Sequence, residues 1–119
     1  MDKRSLGQFG EEQAARYLRR RFYVILERNY RCRFGEIDLI ARRGEMLVFV
    51  EVKLRRDDSH GEAREFVTPR KQQRVRAAAE QWLSLHETRL QPRFDVIEVY
   101  APRGEDGPVK LNHIENAFM

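Results

Sequence analysis

The stretch GEIDLIARRGEMLVFVEVK, residues 35–53, is the strongest indication of the fold of this chain. It holds two apolar runs, EIDLI at 36–40 and MLVFVEVK at 46–53, on either side of a charged turn that contains Gly44. Short apolar runs bounded by such a turn predict the two strands of a β-hairpin. The second run is almost continuously apolar, which is typical of a strand covered on both faces. We therefore expect this hairpin at the centre of a sheet.

The same hairpin carries acidic residues where a core strand is normally apolar. Because side chains alternate between the faces of a strand, Glu51 and Lys53 share a face of the second strand, and Glu36, Asp38 and Ile40 share a face of the first. An antiparallel pair brings Asp38 alongside Glu51. Two neighbouring carboxylates repel, and burial adds a desolvation cost. A divalent cation removes both problems, and oxygen ligands suit Mg²⁺ or Mn²⁺.

An acidic residue of the first predicted helix, residues 5–21, also faces the sheet. Glu11 lies at helical spacing from Ala15, so it points toward the sheet or its edge. Gly7 and Gly10 each lower the stability of a helix interior by about 1 kcal/mol. Their presence is explained if the helix backbone lies close to another part of the molecule at these positions. The alternative for Glu11 is a rim position, paired with a nearby arginine.

Basic residues cluster around the predicted carboxylate pair. Thr68-Pro69 predicts the start of a second helix that runs to about residue 86, with Thr68 as N-cap. The polar face of its first half carries four basic residues: Arg70, Lys71, Arg74 and Arg76. Positive charge near a helix N-terminus opposes the helix dipole, so this face is a candidate for phosphate contact, with a solvated face as the alternative. Arg55 and Arg56 follow Lys53, so we expect them at the mouth of the site.

The composition indicates one globular domain, residues 1–119, with a basic surface. The formal net charge is +4 and the sequence pI is about 9.6, a moderate bias toward polyanionic partners. The single cysteine, Cys32, cannot form an internal disulfide and fits a reducing cytoplasm. Neither a signal peptide nor a membrane-spanning stretch is expected. We expect residues 55–67 to be flexible and residues 115–119 to form a tail.

The order of predicted elements is α-β-β-β-α-β, which places the chain in the α/β class. The strands are expected at residues 22–28, in the hairpin, at 94–100 and, as a last edge strand, at 109–114. Residues 29–34 interleave basic and aromatic side chains, which suits either contact with nucleic acid or a strand edge with core aromatics.

Four segments resemble the YraN-type family of small bacterial proteins: GQFGEEQAARYL, RNYRCRFGEIDLIA, LVFVEVKLR and RFDVIEV. The resemblance extends from residue 7 to about residue 100. This family lies within the PD-(D/E)xK nuclease superfamily, whose motif is an Asp on one strand and Glu-x-Lys on the next. Asp38 and Glu51-Val52-Lys53 match that motif, and Ile37 replaces the proline that often precedes the Asp.

The resemblance implies a restriction-endonuclease-like fold, with a mixed central sheet flanked by helices. It implies that Mg²⁺ or Mn²⁺ is bound by Asp38, Glu51, the Val52 carbonyl and Glu11. It also implies that Lys53 orients the attacking water, so that the catalytic residues are Asp38, Glu51, Lys53 and Glu11. In related nucleases a Lys or Gln on the second helix assists the site, which indicates Lys71 or Gln73 here.

The main hypothesis is a metal-dependent endonuclease acting on DNA. Resemblance to Holliday-junction resolvases favours a branched DNA substrate and a homodimer. Five basic residues are expected to contact the nucleic acid: Arg55, Arg56, Arg70, Lys71 and Arg74. One alternative is a nucleic-acid-binding or assembly module that keeps the fold without turnover. Another is an internal salt-bridge network between the acids, Lys53 and nearby arginines.

Overall fold

The computed structural model describes residues 3–55 and 67–119. In chain order the helices and strands are α1 (Lys3–Arg20), β1 (Val24–Cys32), β2 (Gly35–Arg43), β3 (Met46–Arg55), α2 (Pro69–Leu85), β4 (Gln91–Tyr100) and β5 (Lys110–Phe118). A short 3-10 helix, Gly104–Asp106, precedes β5. None of the helices in these ranges is long and apolar enough to cross a membrane.

The strands form one five-stranded mixed sheet in the order β1-β2-β3-β4-β5. The first three strands pair antiparallel, β3 and β4 pair parallel, and β4 and β5 pair antiparallel. Parallel neighbours need a crossover connection, and α2 provides it. The predicted α/β class, with a mixed central sheet and flanking helices, is confirmed.

Each face of the sheet has its own apolar core. On the α2 side, Phe49 and Val96 pack with Trp82 and Val75 of the helix. On the α1 side, Val48, Val50 and Ile97 pack with a stripe of the first helix: Ala14, Ala15 and Leu18. β3 contributes buried side chains to both cores, as its continuously apolar sequence predicts.

Close contacts fix α2 on the sheet. A Cβ atom added to Gly35, at the start of β2, would lie 2.4 Å from the carbonyl oxygen of Arg74. Only a glycine allows the helix backbone to approach the strand this closely. Near the other end of the helix, Trp82 Nε1 donates a hydrogen bond to Glu27 Oε2 at 2.6 Å. Thr68 Oγ1 accepts from the Lys71 backbone N–H at 3.2 Å, which confirms the predicted N-cap.

Buried polar side chains tie the last two strands together. Asp95 accepts two bonds from Arg93 at 2.8 Å, lies 2.6 Å from His113 Nε2, and accepts from the Asn116 backbone N–H at 3.0 Å. Although burial acts in the opposite direction, these bonds lower the pKa of Asp95. These contacts give Asp95 a structural role, because they hold β4 against β5.

The predicted boundaries of the outer strands were wrong in two places. β1 begins at Val24 and continues to Cys32, and Tyr30 and Cys32 pack against the α2-side core. Thus residues 29–32, with their basic and aromatic alternation, belong to a strand. The predicted tail at 115–119 lies largely in β5, which extends to Phe118. The Asn116 backbone N–H donates to Asp95, and the Phe118 ring stacks on Phe94, so both contacts hold this end of the strand against β4.

The predicted flexible segment, residues 55–67, lies mostly outside the described residues. Its two ends do not fit the prediction: Arg55 is the last residue of β3, and Val67 is buried in the α2-side core.

Candidate metal-binding and catalytic site

The hairpin β2–β3 brings Asp38 and Glu51 together. Leu39 pairs with Val50 and Ile40 with Phe49, so Asp38 and Glu51 are the next residues outward on their strands. Asp38 Oδ2 accepts a hydrogen bond from the Val52 backbone N–H at 2.8 Å. The predicted proximity of the two carboxylates is therefore present in the structure.

The alternation along β2 is interrupted at Asp38. Ile37 and Ile40 both pack in the α2-side core, whereas strict alternation would put them on opposite faces. Asp38 lies between them, and its carboxylate binds the backbone of the neighbouring strand at Val52. The expectation that Glu36, Asp38 and Ile40 share one face of a regular strand is therefore too simple.

Glu51 is a buried carboxylate with an unsatisfied oxygen. The residue is only 5% exposed, and its Oε2 atom has no hydrogen-bond partner among the described residues. Its Oε1 atom lies 3.5 Å from Lys71 Nζ and 3.9 Å from Lys53 Nζ. A buried acceptor without a partner is costly, and a cation at this position would satisfy it.

The electrostatics of the pair disfavour two bare charges. Burial, followed by the neighbouring charge of Asp38, raises the pKa of Glu51 to about 7. Burial also raises the pKa of Asp38, although the Val52 N–H bond acts against it. Lys71 and Lys53 oppose both shifts without cancelling them. Strongly perturbed carboxyl groups with a specific charged neighbour are candidates for a functional site.

Lys71 lies beside the carboxylates of the candidate site. The sequence predicted a solvated or phosphate-contacting position for this residue, which does not account for its contact with Glu51. Its Nζ atom lies 3.5 Å from Glu51 and 3.8 Å from Glu36. The first turn of α2 thus extends over the carboxylates. The resemblance to nucleases gave the sequence signal for Lys71, whereas its contact with Glu36 had none. The neighbouring Gln73 is exposed.

Glu11 lies near the carboxylates of Asp38 and Glu51, but its own carboxylate is hydrogen-bonded to Asn29. Asn29 Nδ2 donates a hydrogen bond to Glu11 Oε2 at 3.0 Å. Burial raises the pKa of Glu11, and the charges of Asp38 and Glu36 add to this effect. Its assignment as a metal ligand stays a prediction.

The two glycines of α1 differ in their surroundings. A Cβ atom added to Gly10 would lie 3.4 Å from the Cβ atom of Leu54, at the close end of ordinary van der Waals contact. The space beside Gly7 is open within the described chain. The expectation that the helix backbone lies close to another element therefore holds at Gly10, where the helix meets β3, whereas no described residue supports it at Gly7.

The other predicted nucleic-acid contacts divide into exposed and buried residues. Arg70 and Arg74 are exposed on the first turns of α2. The Arg55 side chain is only 11% exposed, and its Nε atom lies 2.8 Å from the buried carboxylate of Glu98. Arg56 lies outside the described residues. The exposed arginines of α2 are therefore the better-placed contacts.

The donor set fits a hard cation that keeps part of its water shell. No group of three or more His, Cys, Asp or Glu side chains within the described ranges is arranged to hold a metal. The site instead offers Asp38, the free oxygen of Glu51 and the Val52 carbonyl, which points to the same neighbouring strand as the Val52 N–H. Mg²⁺ typically uses one or two carboxylates and retains several waters.

The alternative hypothesis of an internal salt-bridge network agrees only in part with the contacts of Glu51. Both Lys53 and Lys71 lie beside Glu51, but they approach the same oxygen, Oε1, and leave Oε2 without a partner among the described residues. Arg55, the nearest arginine along the strand, pairs with Glu98. A network that existed to neutralise Glu51 would be expected to satisfy both of its oxygens.

Comparison with known proteins places the chain among relatives of similar length. The sequence model of the "Uncharacterised protein family UPF0102" matches residues 10–99. A UPF0102 protein of Frankia casuarinae is 47% identical over 117 residues, which cover 98% of each chain. A UPF0102 protein of Syntrophomonas wolfei is 47% identical over 117 residues, which cover 97% of this chain and 98% of the relative. One from Pelobacter propionicus is 49% identical over 122 residues, which cover 98% of this chain and 84% of the relative.

Proposed function

The chain belongs to the uncharacterised protein family UPF0102, and we propose that it is a divalent-metal-dependent endonuclease that hydrolyses phosphodiester bonds of DNA. The observation that carries the proposal is the unsatisfied, buried Oε2 atom of Glu51 beside Asp38. Two carboxylates in this environment are poised for a cation, and Lys53 follows two residues later on the same strand.

Asp38, Glu51 and the Val52 carbonyl would hold Mg²⁺ or Mn²⁺, and Glu11 would assist directly or through water. When bound, the ion neutralises phosphate charge and lowers the pKa of a coordinated water. Asp38 and Glu51 lie on adjacent strands, next to the paired residues Leu39 and Val50, and the Val52 N–H bond fixes the Asp38 carboxylate. Rigid elements hold catalytic groups more accurately than loops do.

Lys53 would orient the attacking water and stabilise charge on the phosphate. Its Nζ atom lies 3.9 Å from Glu51 Oε1, and its side chain is about one-third exposed, so a substrate can reach it. A fixed ammonium beside the reacting phosphate stabilises the negative charge that develops there. Lys71 has the same charge and contacts the same oxygen of Glu51, so it would share this role.

Exposed arginines at the start of α2 would bind the DNA backbone. Arg70 and Arg74 are both exposed, on the helix that delivers Lys71 to Glu51. Contacts of this kind position a duplex without reading its sequence. We therefore propose a preference for DNA structure, such as a branch point, and a homodimer that would cut two strands of a four-way junction.

The test is a nicking assay on supercoiled plasmid and on a synthetic four-way junction, with Mg²⁺, Mn²⁺ or EDTA. The wild type is compared with Asp38→Asn and Lys53→Ala, and with the matched exposed-site controls Asp106→Asn and Lys110→Ala. Circular dichroism establishes that every variant is folded. Metal-dependent cleavage that is lost only in the two site variants supports the proposal.

Two outcomes contradict it. Folded wild-type protein that binds DNA equally in EDTA and Mg²⁺ and never nicks it would indicate a non-catalytic binding module. Cleavage that persists in both site variants would place any nuclease activity elsewhere or in a contaminant.

A further inference from the structure

An aromatic residue occupies a position at the end of α1 that normally suits glycine. The Tyr23 backbone N–H donates to the Leu18 carbonyl and the Phe22 N–H to the Arg19 carbonyl, both at 3.0 Å. This pair of bonds is the Schellman motif, in which the first residue beyond the helix adopts a left-handed conformation. That residue is Phe22, with a φ angle of 70°. A bulky side chain is disfavoured in this region of backbone space.

Packing within the described part of the chain does not offset this conformational cost. The Phe22 side chain is 85% exposed, and Val24, two residues on, is 59% exposed. Strained residues persist where the surrounding structure or a function requires them. An aromatic ring that is both strained and exposed is more readily explained by contact with another molecule than by stability.

Arginines from two elements surround Phe22. The end of α1 contributes Arg19, Arg20 and Arg21, and the β2–β3 hairpin contributes Arg42 and Arg43, all of them exposed. Arg43 Nη1 donates to the Arg21 carbonyl oxygen at 3.4 Å, and Arg42 pairs with Val24 in the sheet register. The hairpin and the helix end therefore form one continuous basic surface.

Two of these guanidinium groups are held in place by tyrosine rings. Arg21 lies over the ring of Tyr17 at 4.9 Å, and Arg43 over the ring of Tyr23 at 4.4 Å. Cation–π contacts of this kind restrict the side chains without satisfying their hydrogen-bond donors. The surface is thus partly organised before any anion binds, which reduces the entropy cost of binding.

We propose that this surface, formed by Arg20, Arg21, Phe22, Arg42 and Arg43 and called here the Phe22 surface, binds single-stranded DNA. Arginines bind phosphates, and an exposed aromatic ring stacks on a base whose face is free. A base inside a duplex has no free face, so the ring specifies an unpaired strand. A second copy of the chain is disfavoured as the occupant, because a two-fold contact would bring the same arginines together.

The Phe22 surface lies at the opposite end of β3 from the candidate catalytic site. β3 begins at Met46, next to the hairpin, and reaches Lys53 at the site. A rise of about 3.3 Å per residue separates these residues by roughly 20 Å. The inference extends the proposed function and rests on it for the choice of DNA as the polymer. It indicates an unpaired segment of the substrate at some distance from the scissile phosphate.

The test measures binding without cleavage. A fluorescein-labelled oligothymidylate of about 20 nucleotides, enough to span a typical single-strand site, and a duplex of the same length are titrated in EDTA, and fluorescence anisotropy is followed. The variants, all in the Asp38→Asn background, are Phe22→Gly, Phe22→Tyr and the double variant Arg42→Gln/Arg43→Gln. Leu85→Ala removes another exposed apolar side chain and is the matched control. Phe22→Gly relieves the left-handed strain, so lost binding cannot be ascribed to unfolding.

We expect Phe22→Gly to weaken single-strand binding about fivefold or more while changing duplex binding less than about twofold. Phe22→Tyr and Leu85→Ala should bind as the parent does. The double arginine variant should lower the slope of log K against log salt by about 1.4, which corresponds to two single-strand phosphate contacts.

Three results would overturn the inference. They are unchanged single-strand binding by Phe22→Gly, an equal loss for single strand and duplex, and a loss of self-association in sedimentation velocity with DNA binding unchanged. Since the assay contains no metal, its failure is distinguishable from a failure of the nuclease proposal, which the plasmid assay tests separately.

Discussion

At Glu51, two physical effects act in the same direction. Burial removes the carboxylate from water, and the neighbouring charge of Asp38 repels it, so its pKa rises to about 7. Lys71 and Lys53 oppose this shift, and Lys71 is the nearer of the two. Near neutral pH the residue therefore lies close to the midpoint between its protonated and its charged form.

The first prediction concerns pH. A carboxyl whose folded pKa is raised stabilises the fold fully below its ordinary value of 4.5 and loses that contribution as pH rises through about 7. For Glu51 the loss corresponds to about 3 kcal/mol. Urea denaturation of the metal-free protein between about pH 5 and pH 8 should show falling stability. Glu51→Gln should remove most of this dependence and be the more stable form at the alkaline end of the range.

The exposed-site variant Glu80→Gln is the control and should follow the wild type. The range stays above about pH 5 because the lowered pKa of Asp95 acts in the other direction, and its stabilising contribution is lost only at lower pH. Equal slopes for the wild type and Glu51→Gln would show that Glu51 does not titrate as described.

The second prediction distinguishes metal ligation from a structural salt bridge. In Asp38→Asn, the amide oxygen can still accept the Val52 N–H bond, whereas the repulsion of Glu51 is removed. The metal-free variant should therefore be more stable than the wild type at about pH 7.5, by about 1 kcal/mol, which raises the Tm by about 4 °C. A clear decrease in Tm would favour the salt-bridge hypothesis instead.

At the scale of elements, the position of α2 decides whether the site is complete. The helix meets β2 where Gly35 leaves room for the Arg74 carbonyl, and its first turn then places Lys71 beside Glu51. The pair Trp82 and Glu27 fixes the helix near its other end. The site thus combines strand residues with a side chain that depends on helix docking.

The third prediction is that Gly35→Ala destabilises the protein by about 2 kcal/mol, because the new methyl group overlaps the Arg74 carbonyl and displaces the helix. The comparison is Gly7→Ala, since nothing in the described chain lies within 4 Å of that position. In that helix interior, alanine should stabilise by up to about 1 kcal/mol. Thermal denaturation measures both, and a neutral Gly35→Ala would show that the close approach is not required.

For the whole molecule, a cation that binds only the folded chain must raise its stability. The free energy of unfolding increases by RT ln(1 + [L]/Kd), which is about 2.7 kcal/mol at a concentration about 100 times Kd. A cation bound between Asp38 and Glu51, whose pKa values are both raised, would add to this effect by removing the repulsion between the two carboxylates.

The fourth prediction follows from this linkage. At about pH 7.5 the Tm of the wild type should rise steadily with MgCl₂ or MnCl₂ concentration and return to its starting value in EDTA. Asp38→Asn and Glu51→Gln should respond no more than they do to equal ionic strength of NaCl. The same Tm increase in all three proteins would indicate a general salt effect and argue against a specific site.

Sequence patterns alone predicted the order of helices and strands, the α/β class, the central hairpin and the proximity of Asp38 to Glu51. Periodicity and turn residues are local, and in an antiparallel hairpin they fix which residues lie opposite each other. Periodicity also placed Lys53 on the face of Glu51 and Glu11 toward the sheet. The family resemblance added catalytic and metal-binding roles for these residues, and the comparisons confirmed the family.

Four features became visible only in the folded chain: the contact of Lys71 with Glu51, the need for Gly35, the interrupted alternation at Asp38 and the exposure of Phe22. Each depends on how elements distant in sequence dock, and the packing energy that sets this docking is shared over many side chains. The continuation of β5 has the same origin, because it depends on a buried carboxylate, Asp95, binding the backbone of another strand. A local pattern specifies which face a residue occupies, but it carries no information about the partner that the folded chain brings to that face.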